Sequence, residues 1–251
     1  MIDIKTKEEI KTMQEGGKIL ADVLFEVMKS IKPGMTEIEI DAMADRLIVE
    51  KGGEPAFKKV KGYGHATCIS TNSAVVHGIP SGYKLKNGDL IGVDCGVFYG
   101  GLYTDMSESV IVGKNTNSEN EKFLKVGKKA LDAAIDAAIP GNRVGNISKT
   151  IQEIVEGSGY SVVRSLIGHG VGKKLHEDPE VPGYLSKKIE KTPLLKPGMT
   201  IAVEVIYNMG GYEVSYPNND GWTIATSDGS ISGLYERTIA ITNGKPLILT
   251  A

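Results

Sequence analysis

Apolar residues recur at intervals of three and four in four segments of the chain, a spacing that predicts amphipathic helices. Thr-x-x-Glu capping boxes precede the first two segments, and Pro-Gly or Gly-Gly pairs follow them. Each half of the chain therefore holds a pair of predicted helices. They run from the Thr6–Glu9 box to about residue 30, from the Thr36–Glu39 box to Gly52-Gly53, over residues 119–138 and over residues 144–156.

Short runs rich in β-branched and aromatic residues lie between the helices and are bounded by Gly, Pro and Asn, which predicts strands. Residues 54–65 have no such pattern and are expected to form a loop. The predicted fold class is α+β. The expected strands cover residues 66–71, 90–98, 101–112, 160–167, 199–207 and 233–242, and residues 75–80 are expected to form a short extended piece.

The hairpin predicted between Leu90 and Val112 contains two aspartates. With Tyr99-Gly100 as a two-residue loop, Asp94 and Asp105 would be directly opposed, with Cβ atoms roughly 5 Å apart. Like charges placed in this way destabilise a sheet unless one is protonated or a cation bridges them. A bulge at the loop would change this register. A solvated hairpin with two unrelated aspartates is the alternative interpretation.

The two halves of the chain share a sequence motif. Leu-Lys-x-Gly-x-x-Ile-x-Val-acid ends at Asp94 in the first half and, at an offset of 110, at Glu204 in the second. The Pro-Gly helix stops repeat at an offset of 107. We therefore predict a single domain of two duplicated halves, about residues 5–113 and 118–250, related by a pseudo-two-fold axis. By this symmetry Glu236 is the partner of Glu204.

The composition limits the classes of function. The 251 residues include 29 basic and 31 acidic ones, a net charge of −2, which does not favour a nucleic-acid partner. No apolar run approaches the ~20 residues of a membrane helix, and the N-terminus has no signal-like apolar core, so a cytoplasmic location is expected. Two cysteines, Cys68 and Cys95, are too few for a disulfide framework or a thiolate zinc site.

The predicted symmetry brings four carboxylates to one interface: Asp94, Asp105, Glu204 and Glu236. Four anions in a low-dielectric cleft need compensating charge, and the one adjacent basic residue, Arg237, belongs to the opposite strand face. Divalent metals are the natural counter-charge, with His169 as the candidate nitrogen ligand. Such an oxygen-rich set suits two ions of Mn, Fe, Co or Zn. A histidine between glycines is also common as a simple turn residue.

A two-metal site activates water and polarises a carbonyl or phosphoryl oxygen, which predicts a hydrolase. Glu204 is the candidate general base. His77 and His176 could hydrogen-bond a peptide oxygen as negative charge develops on it. Taken singly, each of these two histidines also fits a structural role.

Several motifs occur together along the chain: Val76-His77-Gly78-Ile79-Pro80, the Asp94–Asp105 spacing, Gly168-His169-Gly170-Val171-Gly172 with His176-Glu177-x-Pro179, Lys196-Pro197-Gly198-Met199, Asp220-Gly221-Trp222 and Tyr235-Glu236-x-Thr238. In this combination the chain resembles the type I methionine aminopeptidases of the pita-bread metallopeptidase family, over roughly residues 3–250. Only 27 residues separate His176 from Glu204, which leaves no room for the insertion of the type II enzymes. No N-terminal extension is expected.

The resemblance implies a pita-bread fold and the removal of the initiator methionine from nascent chains whose second residue is small. It implies a cytoplasmic monomer that acts near the ribosome, and the composition favours neither a membrane nor a nucleic-acid partner. It implies that His77 and His176 contact the substrate peptide. The implied ligands of two divalent metal ions are Asp94, Asp105, His169, Glu204 and Glu236. The implied lining of the methionine pocket is Tyr63, Cys68, Leu175 and Trp222.

Four features depart from the family pattern without removing an expected ligand. Val205 stands where Pro is common, Arg237 where His is common and Leu175 where an aromatic residue is usual, and residues 60–65 replace a Tyr-His-Gly segment. Cys68 and Leu175 could also be ordinary core residues. Two other functions stay open: a proline-specific aminopeptidase or prolidase of the same fold, and a non-catalytic peptide- or ribosome-binding relative.

Overall fold

The computed structural model describes residues 2–114, 117–217 and 219–251. Its α-helices are α1 (Lys7–Ser30), α2 (Glu37–Glu50), α3 (Ser118–Asp136) and α4 (Val144–Gly157). Short 3₁₀ helices cover Phe57–Lys59 and Ile189–Lys191. The strands are β1 (Glu54–Pro55), β2 (Thr67–Thr71), β3 (Ala74–Val76), β4 (Leu90–Tyr99), β5 (Leu102–Ile111), β6 (Ser161–Val162), β7 (Gly168–Gly170), β8 (Glu177–Val181), β9 (Thr200–Asn208), β10 (Val214–Ser215), β11 (Ile224–Thr226), β12 (Ser232–Ala240) and β13 (Leu247–Ile248).

The first two helices begin at the predicted capping boxes. Thr6 Oγ1 accepts the Glu9 N–H at 3.1 Å, and the Glu9 carboxylate accepts the Thr6 N–H at 2.8 Å. Thr36 and Glu39 repeat this exchange at 3.2 Å and 2.7 Å. Each box satisfies two N–H groups that a helix start leaves unpaired. The four predicted helices are confirmed.

Among the described residues, ten strands form one antiparallel sheet. Its path is β1-β4-β5-β12-β9-β7-β8, and β2, β6 and β13 pair with β4, β9 and β12. The contact between β5 and β12 joins the two halves of the chain, with Glu236 opposite Ser107. A separate three-stranded sheet has the order β10-β11-β3.

Alternation along the central strands separates a helix-covered face of the sheet from an open face. Alternate residues from Ile91 to Val97 pack with α1 and α2 in one apolar core. Alternate residues from Ile201 to Tyr207 pack with α3 and α4 in a second core. The intervening residues, among them Asp94 and Glu204, point to the open face because side chains alternate along a strand.

The β4–β5 hairpin turns one residue later than predicted. Its loop is Gly100-Gly101, with φ angles of 57° and 87° that a type I′ turn requires and that Tyr99 would adopt only with strain. Asp94 lies opposite Ser107, so the predicted direct opposition of Asp94 and Asp105 is wrong. The shift keeps both residues on one face as diagonal neighbours. Asp105 is only 4% exposed, which also rules out the solvated-hairpin alternative.

Two segments between the helices differ from their predictions. The single strand expected over residues 160–167 is limited to β6, because the chain bends after it at Arg164. The Arg164 guanidinium pairs with Glu156 of α4 and lies 4.6 Å from the ring centre of Tyr184. Residues 54–65, predicted as a loop, contain β1 and a 3₁₀ helix.

The expectations drawn from composition concern membranes and thiols. Within the described part of the chain, no helix has both the length and the apolar character that crossing a membrane requires. Cys68 and Cys95 are buried free thiols.

Candidate metal centre

Five neighbouring strands each place one ionisable side chain on the open face of the sheet. In strand order these are Asp94 on β4, Asp105 on β5, Glu236 on β12, Glu204 on β9 and His169 on β7. Glu236 lies opposite Glu204 on one side and opposite Ser107 on the other, and Ser107 lies opposite Asp94. Asp94, Glu236 and Glu204 therefore form one row across the sheet.

Asp105 and His169 lie one step along the strands from this row. Asp105 precedes Ser107 by two residues, and His169 pairs with Ala202, which precedes Glu204 by two residues. Because residues two apart share a face, both side chains point the same way as the first row. The structure thus brings all five predicted ligands together in two adjacent rows.

His169 faces the acids through one ring nitrogen. Its Nδ1–H donates to the Gly170 carbonyl at 2.9 Å, since a carbonyl can only accept, and this leaves a lone pair on Nε2. Nε2 lies 3.5 Å from Glu204 Oε1 and 4.0 Å from Asp105 Oδ2. One ligand atom from each of Asp105, His169 and Glu236 lies within 4.8 Å of the others, a grouping that could hold a metal ion.

Burial and mutual repulsion raise the pKa values of the four acids. Loss of hydration raises the pKa of Asp94 to about 7, against a smaller lowering by its hydrogen bond with Asp105. Burial, followed by repulsion from neighbouring carboxylates, holds the pKa values of Asp105, Glu204 and Glu236 well above their usual range. Burial lowers the pKa of His169 to about 4, so its ring is neutral near pH 7.

Two oxygens of the cluster have no hydrogen-bond partner. Asp94 Oδ1 and Glu236 Oε1 are buried and unpaired, although buried carboxylate oxygens are nearly always satisfied. Among the described residues, no Lys or Arg forms an ion pair with any of the four acids. Arg237 points to the helix-covered face and pairs with Glu108. An unsatisfied oxygen-rich set beside a neutral imidazole fits divalent metal ions.

A cavity of about 800 Å³ opens onto the cluster, and all eleven site residues predicted from the sequence line it. The four predicted for the methionine pocket, Tyr63, Cys68, Leu175 and Trp222, pack together at one end. The Tyr63 and Trp222 rings meet edge to face with centroids 5.0 Å apart. Cys68 lies directly opposite Asp94 in the β2–β4 pair, so the apolar end begins next to the acids.

The two remaining histidines line the cavity beside the cluster. The His176 ring packs edge to face on His169, with centroids 4.4 Å apart. His77 has a left-handed φ of 55°, and a Cβ on the following Gly78 would lie 2.0 Å from the Ile69 carbonyl oxygen. Burial lowers the pKa values of His77 and His176, and repulsion between the two rings when both are protonated lowers that of His77 further. Both rings are therefore neutral hydrogen-bonding groups near neutral pH.

Comparison with known proteins decides the family. The model of metallopeptidase family M24 matches residues 11–243. The chain belongs to this family. The methionine aminopeptidase of Clostridium perfringens is 41% identical to this M24 peptidase over 250 residues, which cover 100% of this chain and 99% of that protein. Methionine aminopeptidase 1 of Bacillus subtilis is 42% identical over 250 residues, with the same coverage.

Solved structures show the fold of this M24 peptidase. The methionine aminopeptidase of Thermotoga maritima matches with a TM-score of 0.95 and 41% identity, over 100% of this chain and 99% of that one. The prolidase of Pyrococcus furiosus matches with a TM-score of 0.79 and 26% identity, over 99% of this chain and 65% of that one. These neighbours confirm the predicted pita-bread fold.

The cavity of this M24 peptidase also has lining residues that the sequence analysis did not predict as site residues. Phe57 and Val60 extend the apolar end, and both fall in the segment predicted as a loop. Ile206 and Val76 form another apolar wall. Ile206 follows Glu204 by two residues, so alternation along β9 could have identified it. Phe57 carries no comparable signal, because its position depends on the fold of an irregular segment.

Proposed function

We propose that the chain removes the N-terminal methionine from nascent polypeptides whose second residue is small. The observation that carries this proposal is the pairing of Cys68 with Asp94, which puts the apolar end of the cavity next to the acids. A methionine side chain held at that end has its first peptide bond beside the carboxylates. The relatives named methionine aminopeptidase, at 41% and 42% identity over 99% of their length, support the same substrate.

We propose Asp94, Asp105, His169, Glu204 and Glu236 as the ligands of two divalent ions of Co, Mn, Fe or Zn. The unpaired oxygens of Asp94 and Glu236 and the free Nε2 of His169 support this assignment. Bound ions supply polarisation of a peptide carbonyl and a lowered pKa for water.

The protein's own groups then handle protons and charge. Glu204 is the general base, which accepts a proton from the attacking water and passes it to the departing peptide nitrogen. His77 and His176 donate imidazole N–H hydrogen bonds to the peptide oxygen as negative charge develops there. The 4.4 Å contact of His176 with His169 supports a place for His176 beside the reacting carbonyl.

The methionine side chain is proposed to bind among Tyr63, Cys68, Leu175 and Trp222. These residues form one packed cluster that lines the cavity, so their apolar surface is available to a thioether chain. Leu175 is smaller than the aromatic residue usual in the family, which leaves more room at this point. The roles of Cys68 and Leu175 are therefore proposed as pocket walls rather than core.

We further propose that the chain is one catalytic domain, with halves at about residues 5–113 and 118–250, and a monomer that acts in the cytoplasm near the ribosome. The sheet that continues across β5 and β12 supports a single domain. The net charge of −2 supports the absence of a nucleic-acid partner.

A prolidase-like activity is the second candidate, since a prolidase shares the fold. The likeness is weaker in identity and covers 65% of that chain, compared with 99% of the methionine aminopeptidases. A non-catalytic relative is the third candidate. The complete set of four acids and one histidine in the cavity argues against it.

The test is hydrolysis by protein that has been stripped with a chelator and reloaded with Mn²⁺ or Co²⁺. We expect methionine release from Met-Gly-Met-Met only after reloading, and much less release from Met-Leu-Met-Met. Cleavage restricted to Xaa-Pro peptides would instead support the prolidase, and no cleavage by the metal-loaded protein would support the non-catalytic relative. Full activity of Glu204→Ala would contradict the mechanism, because this change removes both a ligand and the base.

A further inference from the structure

Lys5 is a buried lysine in the segment that precedes α1. Its side chain is 1% exposed, and its ammonium group pairs with Glu177 and lies 3.3 Å from Asp3 Oδ2. Its backbone N–H donates to the Gly198 carbonyl at 2.8 Å. A lysine is rarely buried without a partner, so this site holds the Lys5 charge in one defined place.

Gly172 makes room for this lysine. A Cβ at residue 172 would lie 2.2 Å from Lys5 Cε and 2.7 Å from Nζ. Gly172 also donates its N–H to the Lys174 carbonyl at 3.0 Å and accepts the Tyr103 N–H at 2.7 Å, which fixes the loop next to the lysine. The Lys5 side chain and this loop therefore interlock.

Glu177 uses its two carboxylate oxygens on different partners. Oε2 accepts from Lys5, and Oε1 accepts the Lys174 N–H at 2.9 Å. The carboxylate thus closes the short segment from Lys174 to Glu177. That segment carries Leu175 and His176, both of which line the cavity.

We infer that Lys5 is a positioning residue for His176. Lys5 orients the Glu177 carboxylate, and this carboxylate closes the segment from Lys174 to Glu177. The closed segment places the His176 ring against His169. This inference rests on the proposed function, because it assigns a consequence to the substrate contact of His176. It makes the segment before α1 part of the apparatus that shapes the cavity.

Lys5→Met tests the inference, because Met keeps most of the side-chain length and loses the charge. We expect kcat/KM on Met-Gly-Met-Met to fall roughly 10- to 100-fold, mainly through kcat, since small displacements of a reacting group have effects of this size. Mn²⁺ affinity of the stripped protein should stay within about threefold, because the proposed ligands come from the sheet. Lys7→Met removes the same charge from an exposed neighbour and is the control.

A double-variant comparison separates positioning from general destabilisation. In a His176→Ala background, Lys5→Met should cost less than about threefold, because the group that it positions is already absent. A loss that stays as large as in the wild-type background would overturn the inference. So would full activity of the single variant. If Lys5→Met does not fold, Glu177→Gln replaces it in the same comparison, with the acceptor for the Lys174 N–H retained.

A second measurement does not depend on activity. Amide hydrogen exchange at Lys174 should become at least tenfold faster in Lys5→Met than in wild type or Lys7→Met, because Glu177 loses its orientation. Unchanged exchange would contradict the inference. If the metal-loaded wild type releases no methionine, the proposed function fails, while the exchange result still reports on the Lys5–Glu177 connection alone.

Discussion

Glu204 and Glu236 face each other directly across the β9–β12 pair, whereas Asp94 and Asp105 are diagonal neighbours across β4 and β5. Directly opposed residues have closer Cβ atoms than diagonal ones, so like charges there repel more strongly. The two halves of the chain therefore match in the order of their elements but not in the register of their acids. Glu204 and Glu236 therefore repel each other when both are ionised, and a bound cation would relieve this repulsion.

Glu236→Gln should stabilise the metal-free protein at pH 8. The change keeps the shape, removes one of four crowded charges and costs no hydrogen bond at Oε1, which has none. We expect the melting temperature in chelator to rise by roughly 2–6 °C, about 1–2 kcal/mol. Mn²⁺ affinity measured by calorimetry should fall at least tenfold. Glu50→Gln on the exposed face of α2 is the control, and a lower melting temperature for Glu236→Gln would contradict the repulsion argument.

Stability of the stripped protein should fall as the pH rises from about 4 to about 7. Burial raises the pKa of Asp94 from 3.8 to about 7, so over this interval the unfolded chain releases a proton that the folded chain keeps. Unfolding then becomes more favourable with rising pH, and the loss levels off above the folded pKa. Thermal melts between pH 4.5 and 8 with chelator measure this slope.

Two comparisons check the origin of that pH dependence. Asp94→Asn removes the titrating group, so its slope between pH 4.5 and 7 should be shallower than that of the wild type. Excess Mn²⁺ should reduce the loss at pH 7 to 8, because deprotonated carboxylates bind the ion. Stability that increases with pH in the stripped wild type would refute the assignment of raised pKa values.

The helices and the two sheet faces were predictable because their signals are local. The Thr6–Glu9 box marks a helix start within four residues, and alternation along β9 separates Glu204 from the apolar core. The hairpin error was avoidable as well, since Gly100-Gly101 suits a type I′ turn better than Tyr99-Gly100 does. The sequence repeat predicted that Glu236 is the partner of Glu204, and the two residues do pair directly across β9 and β12.

The remaining features depend on contacts between distant parts of the chain. The pairing of His169 with Ala202 follows from the order of β7 and β9 in the sheet, and no local sequence pattern predicts that order. The bond between Lys5 and Glu177 joins residues 172 positions apart. Sequence reasoning identified Glu177 only as a motif neighbour of His176, because the partner that gives it a role lies at the other end of the chain.

Thr238→Val should lower the affinity for metal ions, although Thr238 is not itself a proposed ligand. The Thr238 hydroxyl accepts the Asp105 N–H at 2.9 Å and donates to the Asp105 carbonyl at 2.8 Å, so it fixes the backbone that carries Asp105. Val has nearly the same shape as Thr but leaves the Asp105 N–H and carbonyl without this hydrogen-bond partner, at a cost of about 1–3 kcal/mol in unfolding free energy. We expect Mn²⁺ affinity to fall roughly 10- to 100-fold, with Thr238→Ser close to wild type. Equal affinities for the Val and Ser variants would show that the hydroxyl does not matter.

Arg237→Met should destabilise the junction between the halves of the chain. The Arg237 guanidinium pairs with Glu108 of β5, donates to the Ser107 and Glu236 carbonyls at 3.1 Å and 2.7 Å, and lies 5.8 Å from the ring centre of Phe25. Arg237 and Glu108 are only 12% and 11% exposed, so removal of one leaves an uncompensated buried charge. We expect a loss of about 3–5 kcal/mol in urea unfolding.

The double variant Arg237→Met/Glu108→Met tests whether the stability loss of Arg237→Met comes from the unpaired charge of buried Glu108. Replacement of a whole buried ion pair by apolar side chains is often close to neutral, so the double variant should recover at least half of the stability lost by Arg237→Met. If it unfolds as easily as the single variant, the contribution of Arg237 lies instead in its bonds to the two strand carbonyls. That result would show that Arg237 stabilises the β5–β12 pair through its hydrogen bonds to the Ser107 and Glu236 carbonyls.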